Sequence, residues 1–236
     1  MTRTRPVVAI DGPAGAGKTT VTRKVAAELG YLLVDTGAIY RSVALAAKRQ
    51  GLDFADADAV GRLAQGLAAR EGIRFASHAG GGQRVLLDDD DVSTAIRTQE
   101  IAEGASRVSA IPAVRAALLD MQRRAGLPGG VVLEGRDIGS VVFPDAEAKF
   151  FLTASVEVRA VRRKAELEAR GEPADLEVIA REVRDRDHRD STRPVAPLTQ
   201  APDAILVDSS ALDIDAVVGR IVAHVREVER RLASPA

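Results

Sequence analysis

The stretch Gly12-Pro13-Ala14-Gly15-Ala16-Gly17-Lys18-Thr19 decides the fold. It matches the pattern G-x-x-x-x-G-K-[ST], whose glycines let successive backbone N–H groups converge on a phosphate at the start of a helix. The apolar run Pro6-Val-Val-Ala-Ile10 before it predicts a buried strand, and residues 18–29 after it have helical spacing that ends at Gly30. A strand, this loop and a helix in that order predict a phosphate-binding loop (P-loop) that binds ATP or GTP.

Two side chains of the loop have separate predicted roles. Lys18 is placed to span the β- and γ-phosphates, and the Thr19 hydroxyl is placed to bind Mg²⁺ that arrives with the nucleotide. A regulatory GTPase would also need the guanine-reading motif N-K-x-D, and the chain contains no asparagine. The predicted ATP-binding residues of the loop are Gly12, Pro13, Ala14, Gly15, Ala16, Gly17, Lys18, Thr19 and Thr20. The loop does not by itself identify the phosphoryl acceptor.

Outward from the loop, apolar strands alternate with helices. Further strands are predicted at 31–34, 131–133, 148–152 and 204–207, and further helices at 36–50, 56–70, 98–109, 112–125, 155–170, 174–190 and 213–232. This alternation predicts a doubly wound α/β core of parallel strands, with ligands at the carboxyl ends of those strands. Residues 72–76 and 84–87 flank Gly80-Gly81-Gly82 and predict a hairpin instead, and therefore a small inserted subdomain.

The composition of the 236 residues narrows the function classes. Lys and Arg number 33 against 34 Asp and Glu, a net charge of −1, which gives no general basic field for nucleic acid or an anionic membrane. No apolar run reaches the roughly 18 residues of a membrane span, and the first residues lack a signal-peptide pattern, so we expect a cytoplasmic protein. The absence of cysteine excludes disulfides and thiolate metal sites, and the three histidines are scattered.

Three further motifs combine arginine with aspartate. Asp35-Thr36-Gly-Ala-Ile-Tyr40-Arg41 ends the second strand, Glu134-Gly135-Arg136-Asp137 ends a later strand, and residues 184–198 form an Arg/Asp-rich run. Two of these motifs lie at strand carboxyl ends, where the ligand crevice of such a sheet is expected. Guanidinium groups suit a phosphate, and carboxylates suit a ribose hydroxyl or a base amine. The motifs therefore predict a phosphorylated, hydroxyl-rich acceptor.

The segments D-T-G-A-I-Y-R, E-G-R-D-I-G-S-V-V-F-P-D-A, I-R-T-Q-E-I and D-R-D-x-R-D-x-x-R-x-V-A-P-L resemble those of the bacterial cytidylate kinase family, over residues 6 to about 228. The resemblance implies a single nucleoside-monophosphate kinase domain over 1–236 with a P-loop NTPase-type, five-stranded parallel core at 6–35, 112–153 and 203–232. It also implies a monophosphate-binding region with a β insert at about 36–111 and a lid at about 155–172. The implied activity is phosphoryl transfer from MgATP to CMP, and also to dCMP. Nothing in the sequence itself calls for an oligomer, so we expect a monomer.

The resemblance carries site roles onto individual residues of this chain. Cytosine contacts fall on Ser106, Arg115 and Asp137, with Arg193 close by. Ribose contacts fall on Arg186 and Asp190, acceptor-phosphate contacts on Arg41 and Arg136, and Thr36 and Tyr40 line the site. The lid arginines that would bind ATP are Arg159, Arg162 and Arg163, and the catalytic residues are Lys18, Arg41 and Arg136.

Two alternatives remain open at this stage. One is a kinase of another small acceptor, of UMP or shikimate type, on the same core; the other is a P-loop ATP-binding module without a small acceptor. The acidic run Asp88–Asp91 departs from the family pattern, and we expect a solvated face there and not a metal site. If the acceptor is a phosphate with a second pKa near about 6, it is largely dianionic at neutral pH and needs no enzyme base.

Overall fold

The computed structural model describes residues 3–77 and 83–233. In chain order the elements are β1 (Val7–Asp11), α1 (Lys18–Leu29), β2 (Leu32–Asp35), α2 (Thr36–Arg49), α3 (Ala57–Ala69), β3 (Ile73–Ser77), β4 (Gln83–Leu87), β5 (Asp90–Asp91), α4 (Gln99–Val108), α5 (Pro112–Gly126), β6 (Val131–Gly135), β7 (Ala148–Thr153), α6 (Val156–Glu168), α7 (Leu176–Thr192), β8 (Ile205–Asp208) and α8 (Ile214–Ala233). A 3-10 turn precedes α4 at Ala95–Arg97, and a π-helical turn follows β6 at Ile138–Val142.

The described residues form two compact units. One unit takes the described parts of Met1–Leu33 and Pro128–Ala236, and the other is Val34–Leu127, so the chain leaves the first unit within β2 and returns to it after α5. These two units do not test the predicted division into core, monophosphate-binding region and lid, which stays a prediction. No helix among the described residues has both the length and the apolar character needed to cross a membrane.

The described residues include a five-stranded parallel sheet in the order β2-β6-β1-β7-β8, which confirms the predicted α/β core. Strand β1 is buried along its whole length, as expected of a central parallel strand. It pairs with β6 in a register that sets Asp11 opposite Gly135. The P-loop and the Glu134–Asp137 motif therefore start side by side at the carboxyl edge of the sheet, where ligands of such folds bind.

The apolar faces of two helices close the core of the first unit. Val21 and Val25 of α1 and Ile221 and Val225 of α8 are almost fully buried, in one cluster with Ile10 of the central strand. The spacing of four residues within each pair puts both side chains on one helix face. This packing fixes the direction of α1, whose N-terminus receives the P-loop.

The second unit contains α2 to α5 and a three-stranded antiparallel sheet in the order β3-β4-β5. Ile73 pairs with Leu87 and Phe75 with Val85, which confirms the predicted hairpin, although its glycine turn lies outside the described residues. The short third strand, Asp90–Asp91, is an addition that the sequence did not predict. Its two residues are too few to produce an alternating apolar pattern.

Candidate active site

Glycine geometry shapes the P-loop after β1. Gly12 has φ 146°, and a Cβ built on it would lie 1.9 Å from the carbonyl oxygen of Leu152 in the neighbouring strand β7. Gly17 has φ 88° and caps the start of α1 in the left-handed conformation. Any other residue would clash at the first position and be strained at both, so these two glycines are required by the course of the backbone.

Lys18 lies buried under this loop with 8% of its surface exposed. Its Nζ donates to the carbonyl oxygens of Gly12 and Pro13, each at 2.7 Å. Burial and the positive charge of Arg136 lower the pKa of Lys18 well below its usual value. A bound anion beside this ammonium would therefore stabilise its charged form.

Glu134 at the end of β6 accepts hydrogen bonds from α1. Thr19 Oγ1 donates to Glu134 Oε1 at 3.0 Å, and Thr22 Oγ1 donates to Glu134 Oε2 at 3.3 Å. Within the described residues, no group of three or more acidic or histidine side chains could hold a metal ion by itself. A hydroxyl beside one carboxylate at a helix N-terminus suits Mg²⁺ delivered with nucleotide phosphates, because this ion usually keeps several water ligands.

Asp11 joins the P-loop strand to the turn that follows Asp137. Its two carboxylate oxygens accept the backbone N–H groups of Ile138 and Gly139, each at 2.8 Å. These are first-turn donors of the π-helical segment, which have no partner within their own helix. Burial raises the pKa of Asp11 to about 6, although the two backbone hydrogen bonds oppose the shift. Asp11 was not among the predicted site residues.

Two ion pairs connect the β6 motif to the end of α7. Arg136 Nε donates to Asp190 Oδ2 at 2.8 Å, and Arg193 Nη2 donates to Asp137 Oδ1 at 3.3 Å. Burial alone would raise the pKa of Asp190, but the charges of Arg136 and Arg186 outweigh it and lower that pKa. Asp190 is therefore ionised at neutral pH. The structure brings these residues, predicted from two motifs far apart in the chain, into one cluster.

The three predicted lid arginines differ in their surroundings. Arg159 is buried and bonded to Ala14, Ala154 and Asp187. Arg162 donates to the carbonyl and hydroxyl oxygens of Ser209, and Arg163 forms an ion pair with Glu166 at 3.2 Å with 28% of its side chain exposed. Arg159 is the most enclosed of the three, with 4% of its surface exposed.

In the second unit, the first turn of α2 carries the D-T-G-A-I-Y-R motif. Asp35 caps the helix by accepting the N–H of Ala38 at 3.0 Å, and its other oxygen binds Arg41 Nη2 at 2.5 Å. Thr36 is buried beside this cap. The carboxylate thus orients Arg41, the predicted phosphate ligand.

The predicted cytosine contacts of this unit lie on α4 and α5. The guanidinium carbon of Arg115 lies 5.5 Å from the centre of the Tyr40 ring, and Gln122 Nε2 lies 3.4 Å from the Tyr40 hydroxyl. Ser106 is 5% exposed, and within the part of the chain that the structure describes its hydroxyl has no hydrogen-bond partner. A buried hydroxyl without a partner is costly, which favours an external ligand at Ser106.

Sequence reasoning missed the residues that support the site. Glu134, Asp187 and Gln122 contact predicted site residues, and Asp11 holds the turn that follows the predicted residue Asp137, but none of the four was assigned a role. The available signal was position, since Asp11 and Glu134 are carboxylates that end apolar strands. Asp187 and Gln122 lie within helices, where no local pattern distinguishes them from other polar residues.

A nucleotide-binding loop with a buried lysine, beside arginine and aspartate pairs at the next strand end, defines the protein as a P-loop kinase. The family model described as cytidylate kinase matches residues 8–227. The chain belongs to the cytidylate kinase family and is a nucleoside-monophosphate kinase.

Individual relatives are similar along nearly the whole chain. A cytidylate kinase of Pelotomaculum thermopropionicum is 49% identical over 93% of this chain and 96% of its own length. One from Citrifermentans bemidjiense is 51% identical over 94% and 93%, and one from Pseudomonas aeruginosa is 48% identical over 93% and 94%. Among solved structures, a gluconokinase from Sinorhizobium meliloti aligns over 98% of this chain and 97% of its own with 15% identity and a TM-score of 0.48.

Proposed function

We propose that the protein transfers the γ-phosphoryl group of ATP to the phosphate of CMP, giving ADP and CDP, and that dCMP is also accepted. Membership of the cytidylate kinase family is the observation that carries the proposal. This activity belongs to pyrimidine nucleotide metabolism, and we place it in the cytoplasm, where both substrates occur. The enzyme acts as a monomer in this proposal.

The P-loop residues 12–20 would bind the triphosphate through their backbone N–H groups. Lys18 would exchange its two carbonyl acceptors for phosphate oxygens, which are stronger acceptors because they are charged. The Thr19 hydroxyl would hold Mg²⁺, which supplies charge neutralisation at the phosphates. Arg162 and Arg163 of α6 would complete the donor side, as the family motif implies.

On the acceptor side, Arg41 and Arg136 would neutralise the phosphate of CMP. Each is oriented by a carboxylate, Asp35 and Asp190 respectively, so little ordering remains to be done when the phosphate binds. Arg186 and Asp190 would bind the ribose, and Thr36 and Tyr40 would line the same site. These roles follow the family motifs residue by residue.

Cytosine recognition would rest on Ser106, Arg115, Asp137 and Arg193. The exocyclic amine of cytosine is a donor, whereas uracil has a carbonyl acceptor at that position. The buried Asp137 carboxylate, already held by Arg193, would accept from the amine and repel the carbonyl. A buried polar partner discriminates strongly because the wrong base leaves it unpaired.

No protein base is required by this chemistry. The phosphate of CMP is a dianionic nucleophile at neutral pH, and the lowered pKa of Asp190 makes it a poor proton acceptor. Catalysis would therefore consist of positioning and charge neutralisation by Lys18, Arg41 and Arg136. The aspartates would hold the substrate.

An acceptor panel tests the proposal directly. ATP consumption is measured with CMP, dCMP, UMP, AMP, dTMP and shikimate as separate acceptors, and without any acceptor. We expect turnover with CMP and dCMP at least about 100-fold above UMP, the discrimination that a buried polar contact can supply. Faster turnover with UMP or shikimate, or turnover that does not depend on an acceptor, would contradict it.

A further inference from the structure

The side chain of Arg159 is enclosed by three parts of the first unit. It is 4% exposed, and its Nε donates to the carbonyl oxygen of Ala154 at 2.9 Å. Its Nη1 donates to the carbonyl oxygen of Ala14 at 3.1 Å and to Asp187 Oδ1 at 2.9 Å, and its Nη2 donates to Asp187 Oδ2 at 2.6 Å. Two parallel bonds from a guanidinium to one carboxylate form a strong and directional pair.

Arg159 also lies directly against the P-loop backbone. A Cβ built on Gly15 would be 3.2 Å from Arg159 Cβ, so the two residues are already in close contact. In a trans peptide the carbonyl oxygen and the following N–H point in opposite directions. The bond from Arg159 to the Ala14 oxygen therefore turns the N–H of Gly15 away from Arg159. The orientation of one P-loop donor depends on this arginine.

Asp187 connects the same arginine to α7. That helix also carries Asp190, which accepts from Arg136, and Arg186 next to Asp187 in the chain. The inner face of α7 thus binds the P-loop through the Arg159–Asp187 pair and the β6 motif through Asp190. One helix is joined to both the donor loop and the residues assigned to the acceptor.

We propose that Arg159 is a positioning residue: held by Asp187, it fixes the Ala14–Gly15 peptide of the P-loop and so prepares the loop for the donor phosphates. The inference rests on the proposed function only in that ATP is the ligand of this loop. It assigns Arg159 an indirect role, in place of the direct phosphate contact predicted for it as a lid arginine. It also assigns a role to Asp187.

The direct and indirect roles predict opposite effects of Asp187→Asn. If Asp187 only held Arg159 back from the phosphates, removing its charge would release the arginine and strengthen ATP binding. If the pair positions the loop, the same substitution weakens ATP binding because the Ala14 carbonyl loses its anchor. Since 27% of the Asp187 side chain is exposed, Asp187→Asn should disturb the fold less than a substitution of the buried Arg159.

The experiment measures the dissociation constant of MgATP, without CMP, for wild type, Asp187→Asn, Arg159→Lys and the double variant. We expect each single variant to weaken ATP binding by about fivefold or more, and the double variant to be no weaker than Arg159→Lys alone, since both changes break one unit. Asp187→Glu, which keeps the carboxylate, should restore part of the affinity. Asp185→Asn, an exposed neighbour on α7, is the matched control and should bind ATP as wild type does.

Chemical shifts of ¹⁵N-labelled glycine provide a readout that a general loss of stability would not produce. The Gly15 amide should shift in both single variants while the Gly219 amide on α8 does not. Tighter or unchanged ATP binding in Asp187→Asn, or additive losses in the double variant, would overturn the proposal. Because CMP is absent from these measurements, a failure of the proposed acceptor specificity would appear only in the acceptor panel.

Discussion

At the scale of single residues, Lys18 shows how a motif acquires its chemistry. The sequence predicts that it binds the phosphates, and the structure adds that its ammonium is buried and donates to two main-chain carbonyl oxygens. Main-chain carbonyls satisfy its hydrogen bonds, and the charges of Glu134 and Asp11 offset its burial only in part, since the pKa of Lys18 is still lowered. A charge in this state is stabilised more by the transferring phosphates than by the protein alone, which is the requirement for electrostatic catalysis.

Lys18→Met should therefore separate activity from folding. We expect kcat to fall by at least about 100-fold, equal to about 2.7 kcal/mol of transition-state stabilisation. The midpoint of thermal unfolding should be unchanged or higher, because the variant removes a desolvated ammonium. Steady-state kinetics and calorimetry measure the two effects. A folded variant with near-wild-type kcat would show that Lys18 does not act on the phosphates.

Asp137→Asn should change the choice of base. The amide keeps the shape and can present a donor to uracil, so the ratio of kcat/KM for CMP to that for UMP should fall by about tenfold or more. Asn is preferred to Ala here, because the Asn amide oxygen can still accept a hydrogen bond from the buried Arg193 guanidinium. Equal losses for both substrates would show that Asp137 serves Arg193 or the turn and not the base.

At the scale of elements, the acidic run Asp88–Asp91 is exposed, as expected of a solvated face, and its carboxylates are also paired. Each of its carboxylates forms an ion pair with an arginine of the second unit: Asp88 with Arg70, Asp89 with Arg74, Asp90 with Arg49 and Asp91 with Arg84. The sequence shows the acidic run but not its partners, because three of these arginines lie on other strands or helices. Exposed pairs of this kind add little stability singly, and their main effect is to cancel charge at the hairpin end.

The pairing of α6 with α7 gives the predicted lid a physical basis. Within the described part of the chain, the buried apolar cluster between them is small, with Ala160, Leu167 and Ile179, and the Arg159–Asp187 ion pair adds a polar contact. A small apolar cluster contributes little to the free energy of local opening. Arg162 and Arg163 on α6 should close toward phosphates that neutralise them.

Hydrogen exchange should detect this closure. Deuterium uptake at Val156–Glu168 should slow when CMP and a non-hydrolysable ATP analogue are both bound, and less with either alone. Helix α8, packed into the core of the first unit, is the internal control and should not respond. Unchanged exchange in α6 would argue against a lid at 155–172.

At the scale of the whole molecule, the acid side of the pH profile should report two ionisations. The phosphate of CMP loses its second proton near about pH 6. Burial also places the pKa of Asp11 at about 6, and its charged form accepts both turn N–H groups after Asp137. Activity should need both groups deprotonated, so kcat/KM should rise by about two decades per pH unit below about pH 5.5 and stay level from about pH 7 to 8.5.

Two changes separate these ionisations. The thiophosphate analogue of CMP has a lower second pKa. With it, kcat/KM should rise by only one decade per pH unit below about pH 6, and Asp11 should set that rise. In Asp11→Asn, kcat/KM for CMP should also rise by one decade per pH unit, and the phosphate of CMP should set that rise. If kcat/KM of the wild type instead rises by only one decade per pH unit, and this rise shifts to lower pH in full with the thiophosphate analogue, then Asp11 does not limit activity. A limb that moves on substitution of Asp190 would instead indicate a protein base.

The sequence alone determined the phosphate-binding loop, the order of strands and helices, and the family motifs. These depend on short-range information: glycines where the backbone must turn, apolar residues with period two or 3.6, and caps such as Asp56 and Thr98 next to their helices. Element ends were mostly predicted to within one or two residues, because capping is also local.

Only the tertiary structure decided how those motifs act together. Asp11 binds a turn 127 residues away, and Arg159 binds a P-loop carbonyl 145 residues away. Such contacts depend on strand register and on helix packing across the sheet, which no local periodicity encodes. Arg159 has the sequence context of a phosphate ligand, and the structure shows it buried and paired with Asp187. The sequence identifies the chemical groups of the site, whereas long-range packing determines which protein groups they contact.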